Sequence, residues 1–336
     1  MIMSHCIFTT FDKAYAAQAI CMAESFKLHH GSEIKIIAII VDTLTEQEED
    51  YFTIFDEIIS PEDLNIPHFD NWIFGLNIFE AATAIKSFAF CSLLERYSHV
   101  TCVDPDTICY SRLDEVLDLS SSWDLALTPQ HIEPKKGRWL VESTELESLK
   151  FGVFNLGFLS IRATVNGKVI AKWWCDRCYE YGIADAKKGF YADQKFFDLA
   201  PGLFSGVYIL KHAGYNVGSW NLSERIIEFS NNELTSNGVP LRFCHYTKVS
   251  SVGALIVEQM RIKDSFFIEL LYVYITKLKE KNNELINLDH KWRYGFFNDG
   301  TEISSDTKIK FRNLPHRFDL INPFNNKKET LVVLNR

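Results

Sequence analysis

The chain has 336 residues, a formal net charge of −9, and is 47% hydrophobic and 24% charged. That length supports one large domain or two small ones with a sizeable core, and the apolar content excludes a wholly disordered chain. An acidic chain also lacks the basic surface that a dedicated nucleic-acid binder needs, although a local groove for one anionic ligand remains open to it.

Taken in chain order, the first third alternates strand and helix patterns. Cys6 to Thr10 reads as a short strand, and Lys13 to His29 as a helix with Ala16, Ile20, Ala23 and Phe26 on one stripe. Ile34 to Val41 is a nearly unbroken aliphatic run that stops at Asp42. Such a run suits a strand buried on both faces, as in a parallel sheet covered by helices. Glu57 to Ser60 is a third strand stopped by Pro61, Ala81 to Arg96 a helix, and Val100 to Val103 a strand ending at Asp104. This rhythm predicts an open α/β sheet. Ligands of such sheets sit beyond the carboxyl ends of the strands, and Thr9, Thr10, Asp42, Asp104 and Asp106 all fall there.

The middle of the chain is more mixed. Asp124 to Thr128 and Phe154 to Ile161 read as strands, and Lys168 to Tyr181 as an aromatic helix. Gln130 to Lys150 is polar and is expected to be a mobile loop over the site. Asp193 to Leu199 is a short helix that Asp193 would cap, and Val207 to Leu210 a short strand. Residues 1–263 are read as the main domain and 264–336 as a mostly helical appendage packed on it. In that appendage a helix runs from Asp264 to Lys281, and Thr330 to Leu334 is a closing strand.

No basic, apolar leader opens the sequence, and no run reaches the ~20 apolar residues a bilayer span needs. Phe266 to Leu278 is too short and contains Glu269, so it is expected to dock on the core. Lys277, Lys279 and Lys281 leave room for peripheral membrane contact. The eight cysteines are spread through apparent strands and helices, which points to reduced thiols and a cytoplasmic protein. The lone Cys175-x-x-Cys178 has no second pair to complete a zinc site.

The sharpest chemical feature is Val103-Asp104-Pro105-Asp106. In an extended segment, residues i and i+2 point the same way. Two carboxylates set side by side repel unless a cation lies near them, and a hard divalent ion accepts oxygen ligands. The alternative is a proline turn carrying solvated acids.

The stretches Thr83-Ala84-Ile85-Lys86-Ser87-Phe88, Leu93-Leu94-Glu95-Arg96 and Val103-Asp104-Pro105-Asp106 together resemble the donor-site block of GT-A glycosyltransferases. They are similar to glycosyltransferase family 8 and its bacterial relatives. Further matches follow in order: Leu127-Thr128-Pro129, Phe154-Asn155-Leu156-Gly157-Phe158-Leu159, Ala192-Asp193-Gln194-Lys195, Gly214-Tyr215-Asn216-Val217 with Trp220-Asn221-Leu222, and Phe243-Cys244-His245-Tyr246. The resemblance spans roughly Cys6 to Lys248. It implies a Rossmann-like mixed sheet flanked by helices. It also implies transfer of a sugar from a nucleotide-sugar donor, UDP-linked, held by Mn²⁺ or Mg²⁺, to a glycan or glycoconjugate acceptor, with retention at the anomeric carbon; the alternative is inversion, with Asp193 as the base for the acceptor hydroxyl. Surface-polysaccharide assembly is the setting the bacterial relatives suggest.

Carried over residue by residue, the resemblance makes Asp104, Asp106 and His245 the metal ligands. Lys86 and Lys248 neutralise phosphate; the alternatives are a snorkelling lysine and a solvated one. The family's late motif usually continues with a glycine and a lysine soon after the histidine. Here the run is His245-Tyr246-Thr247-Lys248, with Gly253 further on. Thr9 and Thr10 contact uracil and ribose, while Asp12 caps the next helix. Asp42 is a second nucleotide contact. Asn155, Asp193 and Gln194 line the transferred sugar, with Gln194 near the anomeric carbon. Asn216 and Trp220 shape the acceptor end, or Trp220 belongs to the core.

Three rivals stand beside this reading. A sugar nucleotidyltransferase would show a glycine-rich loop after the first strand, where this chain has Thr9-Thr10-Phe11-Asp12. A non-catalytic carbohydrate-binding or scaffold protein would not need two intact carboxylates. A nucleotide-sugar hydrolase would be exposed by its products without acceptor.

Overall fold

The computed structural model describes residues 4–118, 122–247, 266–319, 322–325, 327 and 330. A seven-stranded sheet lies at its centre. Its strands are β1 (His5–Phe11), β2 (Ile34–Ile40), β3 (Glu57–Ile59), β4 (His99–Val103), β6 (Leu125–Pro129), β7 (Phe154–Arg162) and β8 (Val207–Ile209), in the order β3-β2-β1-β4-β7-β6-β8. β1 to β4 run parallel, β7 is antiparallel to β4 and β6, and β6 is parallel to β8. The protein is thus an α/β mixed sheet flanked by helices.

The aliphatic run in β2 explains the layering. Ile37, Ile39 and Val41 join one core cluster, while Ile36, Ala38 and Ile40 join the other. Each face is covered by helix, so no polar alternation survives. α2 (Ile78–Leu93) and α3 (Val165–Tyr181) contribute to the first cluster, and α1 (Ala16–His30) to the second. α2 starts earlier than its apolar stripe suggests. Asn77 accepts from Glu80 N while the Glu80 carboxylate accepts from Asn77 N, a capping box that fixes the start.

Two small sheets escape the sequence pattern. One pairs β5 (Thr107–Cys109) with β12 (Phe243–His245). The other is β9 (Ile227–Ser230), β10 (Glu233–Ser236) and β11 (Val239–Pro240). The polar stretch expected to be a loop is largely helical, with turns over Arg138–Leu140, Val141–Glu145 and Leu146–Phe151. The short helix expected from Asp193 begins at Lys195, so Asp193 does not cap it. Of the expected closing strand, all but Thr330 lies outside the described residues, and Thr330 is helical.

α4 (Phe267–Glu284) buries Phe267, Leu270 and Tyr274 against the main body. Lys277 and Lys281 each reach Glu24 of α1 at 2.9 Å, so two of the three lysines expected at a membrane surface are engaged within the fold. Further along, Trp292 Nε1 donates to Val41 O and Arg293 N to Asp42 Oδ1. Phe311 of α5 (Ser305–Arg312) and Phe324 pack on Phe74. No described helix is long and apolar enough to cross a membrane. The eight cysteines are all free.

Candidate metal centre

At the end of β4 the chain turns through Asp104-Pro105-Asp106 into β5. Three hydrogen bonds pin that turn. Asp104 N donates to Gly157 O at 2.9 Å, Thr107 Oγ1 to Asp104 O at 2.9 Å, and Tyr246 N to Asp106 O at 2.7 Å. The β5–β12 register sets Thr107 opposite His245, which delivers the imidazole to the acidic pair. His245 Nε2 lies 3.0 Å from Asp106 Oδ1 and 3.8 Å from Asp104 Oδ2. One ligand atom from each of Asp104, Asp106 and His245 falls within 4.8 Å of the others, and no other such trio occurs among the described residues. Two carboxylates and an imidazole form a donor set that suits a divalent ion such as Mn²⁺.

Lys86 lies behind this trio, on the buried face of α2. Its Nζ is 2.6 Å from Asp104 Oδ1 and 3.6 Å from Asp193 Oδ2, and donates to Leu156 O at 3.2 Å. The side chain does not snorkel to solvent; the residue is 4% exposed. Burial alone would lower its pKa. Asp104 and Asp193 outweigh that and hold the ammonium above the ordinary lysine value. Burial pushes Asp193 the other way, up to about 6, with Lys86 pulling it back. Burial would also raise Asp106, but the His245 charge brings it below the ordinary carboxylate value.

Asp193 Oδ2 is buried and has no hydrogen-bond partner. The turn that presents it carries strain. The preceding Ala192 has φ +47°, a left-handed conformation that costs an L-residue on the order of 1–2 kcal/mol. Trp174 Nε1 donates to Asp193 O at 2.9 Å and holds the turn against α3. A buried acceptor left open on a strained turn fits a ligand hydroxyl.

The other expected residues divide into three groups. Asn155 and Gln194 border the trio through backbone. Asn155 Oδ1 accepts from Gly157 N, and Gln194 Oε1 accepts from Leu156 N while its Nε2 donates to Phe151 O. Thr9 and Thr10 are buried at the end of β1. Thr10 Oγ1 donates to Ala82 O, and Thr9 Oγ1 has no partner. Asp42 lines a separate cavity of about 340 Å³ with Lys13, Asp289, Lys291 and Arg293. Its Oδ1 accepts from Thr43 N and Arg293 N, its Oδ2 has no partner, and burial raises its pKa to about 6. Lys248 and Gly253 lie outside the described residues.

Sequence reading missed two tyrosines near the acids. Burial, then the Asp106 carboxylate, hold the phenols of Tyr15 and Tyr274 above their ordinary value. Tyr274 comes from α4, stacks on Tyr246 at 4.3 Å, and has a buried hydroxyl with no partner. No local signal marks it, because only the packing of α4 brings it there. Asn216, expected at the acceptor end, is buried against His245 Nδ1 at 3.0 Å. Trp220 stands edge-on to the same ring, 5.3 Å between centroids.

No family model and no curated protein matches the chain. Among solved structures it is similar to glycosyltransferases, including the following three. An active-site mutant of LgtC is 19% identical, with a TM-score of 0.46, over 76% of this chain and 94% of that one. GlyE of Streptococcus pneumoniae TIGR4 in its apo form is 15% identical, TM-score 0.45, over 86% and 64%. The bifunctional WbbM apo structure is 13% identical, TM-score 0.45, over 82% and 52%. At such values the likeness assigns no role to any residue.

Proposed function

We propose that this chain transfers a sugar from a UDP-linked donor to a glycan or glycoconjugate acceptor, with the donor diphosphate held through Mn²⁺ or Mg²⁺. The observation that carries this reading is one arrangement. Asp104, Asp106 and His245 converge beyond the carboxyl end of a parallel strand, with the buried Lys86–Asp193 pair directly behind. A divalent ion held by the trio supplies positive charge for the diphosphate leaving group.

The chain's own residues do the rest. Lys86 pairs with Asp104 and fixes the carboxylate that faces the ion. Asp193 Oδ2 accepts a hydrogen bond from a sugar hydroxyl. Asn155 and Gln194 form the neutral wall beside it. Transfer with retention is the outcome the resemblance implies, with the neutral amide of Gln194 near the anomeric carbon. The nucleoside lies along the carboxyl edge of β1 and β2, where Thr9 and Thr10 end one strand and Asp42 follows the other with an oxygen unpaired.

Thermal unfolding tests the reading. A ligand that binds only the native state raises its stability, by roughly 2.7 kcal/mol at a hundred times Kd. UDP with Mn²⁺ is expected to raise Tm by several degrees in the wild type, and UDP in EDTA much less. Asp106→Asn is expected to lose the Mn²⁺-dependent part. No shift with any nucleoside diphosphate favours the non-catalytic reading, and donor cleavage without any acceptor product favours a hydrolase.

A further inference from the structure

The imidazole of His245 is held on both ring nitrogens, and the identities of its neighbours can be deduced. The backbone N–H of Gly157 can only donate. It lies 2.9 Å from Asn155 Oδ1, so that side-chain atom is the oxygen. The Asn216 amide atom 3.0 Å from the same oxygen must then donate, which makes it Nδ2. That nitrogen also reaches Thr128 Oγ1 at 2.9 Å. The remaining amide atom of Asn216 is Oδ1, and it faces His245 Nδ1 at 3.0 Å. A carbonyl oxygen only accepts, so Nδ1 carries a proton. In the neutral ring the lone pair then sits on Nε2, the nitrogen turned toward Asp104 and Asp106.

The ring has little room to turn. Trp220 stands at 88° to it on one side. On another side Gly157 leaves only enough space for a hydrogen: a Cβ there would lie 2.3 Å from His245 Cε1 and 2.5 Å from Nδ1. Asn216 is itself fixed. It has φ +50°, a conformation asparagine tolerates better than most residues, and its backbone carbonyl accepts from Asn221 Nδ2 at 3.0 Å.

We infer that Asn216 is a positioning residue for the metal centre: it holds the Nδ1 proton of His245 and thereby presents the Nε2 lone pair to an ion shared with Asp104 and Asp106. The inference rests on the metal reading above. Its origin is the backbone N–H of Gly157, passed through Asn155 to Asn216 and on to the imidazole. Hydrogen-bond partners of metal-bound histidines typically change metal affinity by about 10–100-fold when removed.

Two variants keep the left-handed backbone and separate orientation from folding. Asn216→Gly removes the acceptor. Asn216→Asp keeps an acceptor for Nδ1, and the Thr128 hydroxyl can turn to donate to it. Mn²⁺ binding to the full chain is titrated by the loss of free-ion EPR signal, with metal-free unfolding measured alongside. Asn216→Gly is expected to weaken Mn²⁺ by about 10–100-fold. Asn216→Asp is expected to stay within about threefold of wild type by the same reasoning, even if its unfolding midpoint falls. A merely structural role predicts that affinity follows stability in both variants. Wild-type affinity in Asn216→Gly, or an equal loss in Asn216→Asp, overturns the inference. A wild-type chain that binds no Mn²⁺ overturns the metal reading, and this inference with it.

Discussion

At the scale of single residues, the site turns on one buried cation among three acids. Lys86 faces Asp104 and Asp193 and stands behind the pair that Asp106 completes. Removing one partner of a buried pair leaves the other charge uncompensated, which costs more than the pair itself contributes. Lys86→Met is therefore expected to lower unfolding stability in urea by roughly 3 kcal/mol. Asp193→Asn introduced into Lys86→Met should return part of that loss, since it removes the stranded charge. No loss in Lys86→Met, or no recovery in the double variant, would show that the three side chains are not coupled. The acids were legible in the sequence because D-x-D after an apolar strand is a local pattern, whereas His245 came only with the family resemblance. The Asn216–His245 contact was not, because its partners lie on different segments and meet only where Val217 bridges Cys244 alongside β12. Nor does a glycine at 157 announce the imidazole it makes room for.

At the scale of elements, legibility followed burial. β2 announces itself because a strand covered on both faces is apolar at nearly every position, while β1, β4 and β7 still read as strands although His5, His99, Thr101 and Ser160 interrupt them. The helical turns between Arg138 and Phe151 gave no such signal. Their side chains are mostly exposed, with Trp139, Leu146 and Leu149 among them. What fastens the preceding stretch is one buried acid. The Glu224 carboxylate accepts from Ile132 N at 2.9 Å and Glu133 N at 3.2 Å, and it pairs with the buried ammonium of Lys135. Glu224→Ala leaves that cation and two backbone donors without their partner. Hydrogen exchange over residues 131–151 is then expected to speed up by at least tenfold, as this segment opens on its own. Exchange in β1 and β4 should stay as slow as in the wild type. Uniform acceleration throughout would mean that the segment and the sheet open as one unit.

At the scale of the whole molecule, the sheet contains a polar seam that composition does not show. His5 and His99 stack at 4.0 Å, His5 Nε2 meets Thr101 Oγ1 at 2.8 Å, and His99 Nε2 meets Ser160 Oγ at 2.5 Å. Burial holds His99 down to about 3 and His5 well below the ordinary value. His30, stacked on Phe26 with both ring nitrogens unpartnered, is held down to about 4. A histidine whose folded pKa is depressed stabilises the fold above its unfolded value near 6.5, and loses that stabilisation as pH falls toward the folded value. Asp42 and Asp193, both raised to about 6, act in the opposite sense between pH 6 and 4, because the folded chain then takes up protons that the unfolded chain does not. Asp12 and Asp70, also raised, act with them, but His29, and His131 held down to about 4, join the three histidines above, and Glu24, Glu48, Asp56, Asp106 and Glu115 are held below the ordinary carboxylate value, so net stability is expected to fall with acid. His30→Leu isolates one of these terms, since no hydrogen bond is lost with the ring. At pH 7 the variant should be at least as stable as the wild type by urea unfolding. Between pH 6 and 4 its advantage should grow by about 1.4 kcal/mol per pH unit, the slope of one proton. Parallel curves for the two proteins would mean that His30 takes up its proton in the folded chain as readily as in the unfolded one.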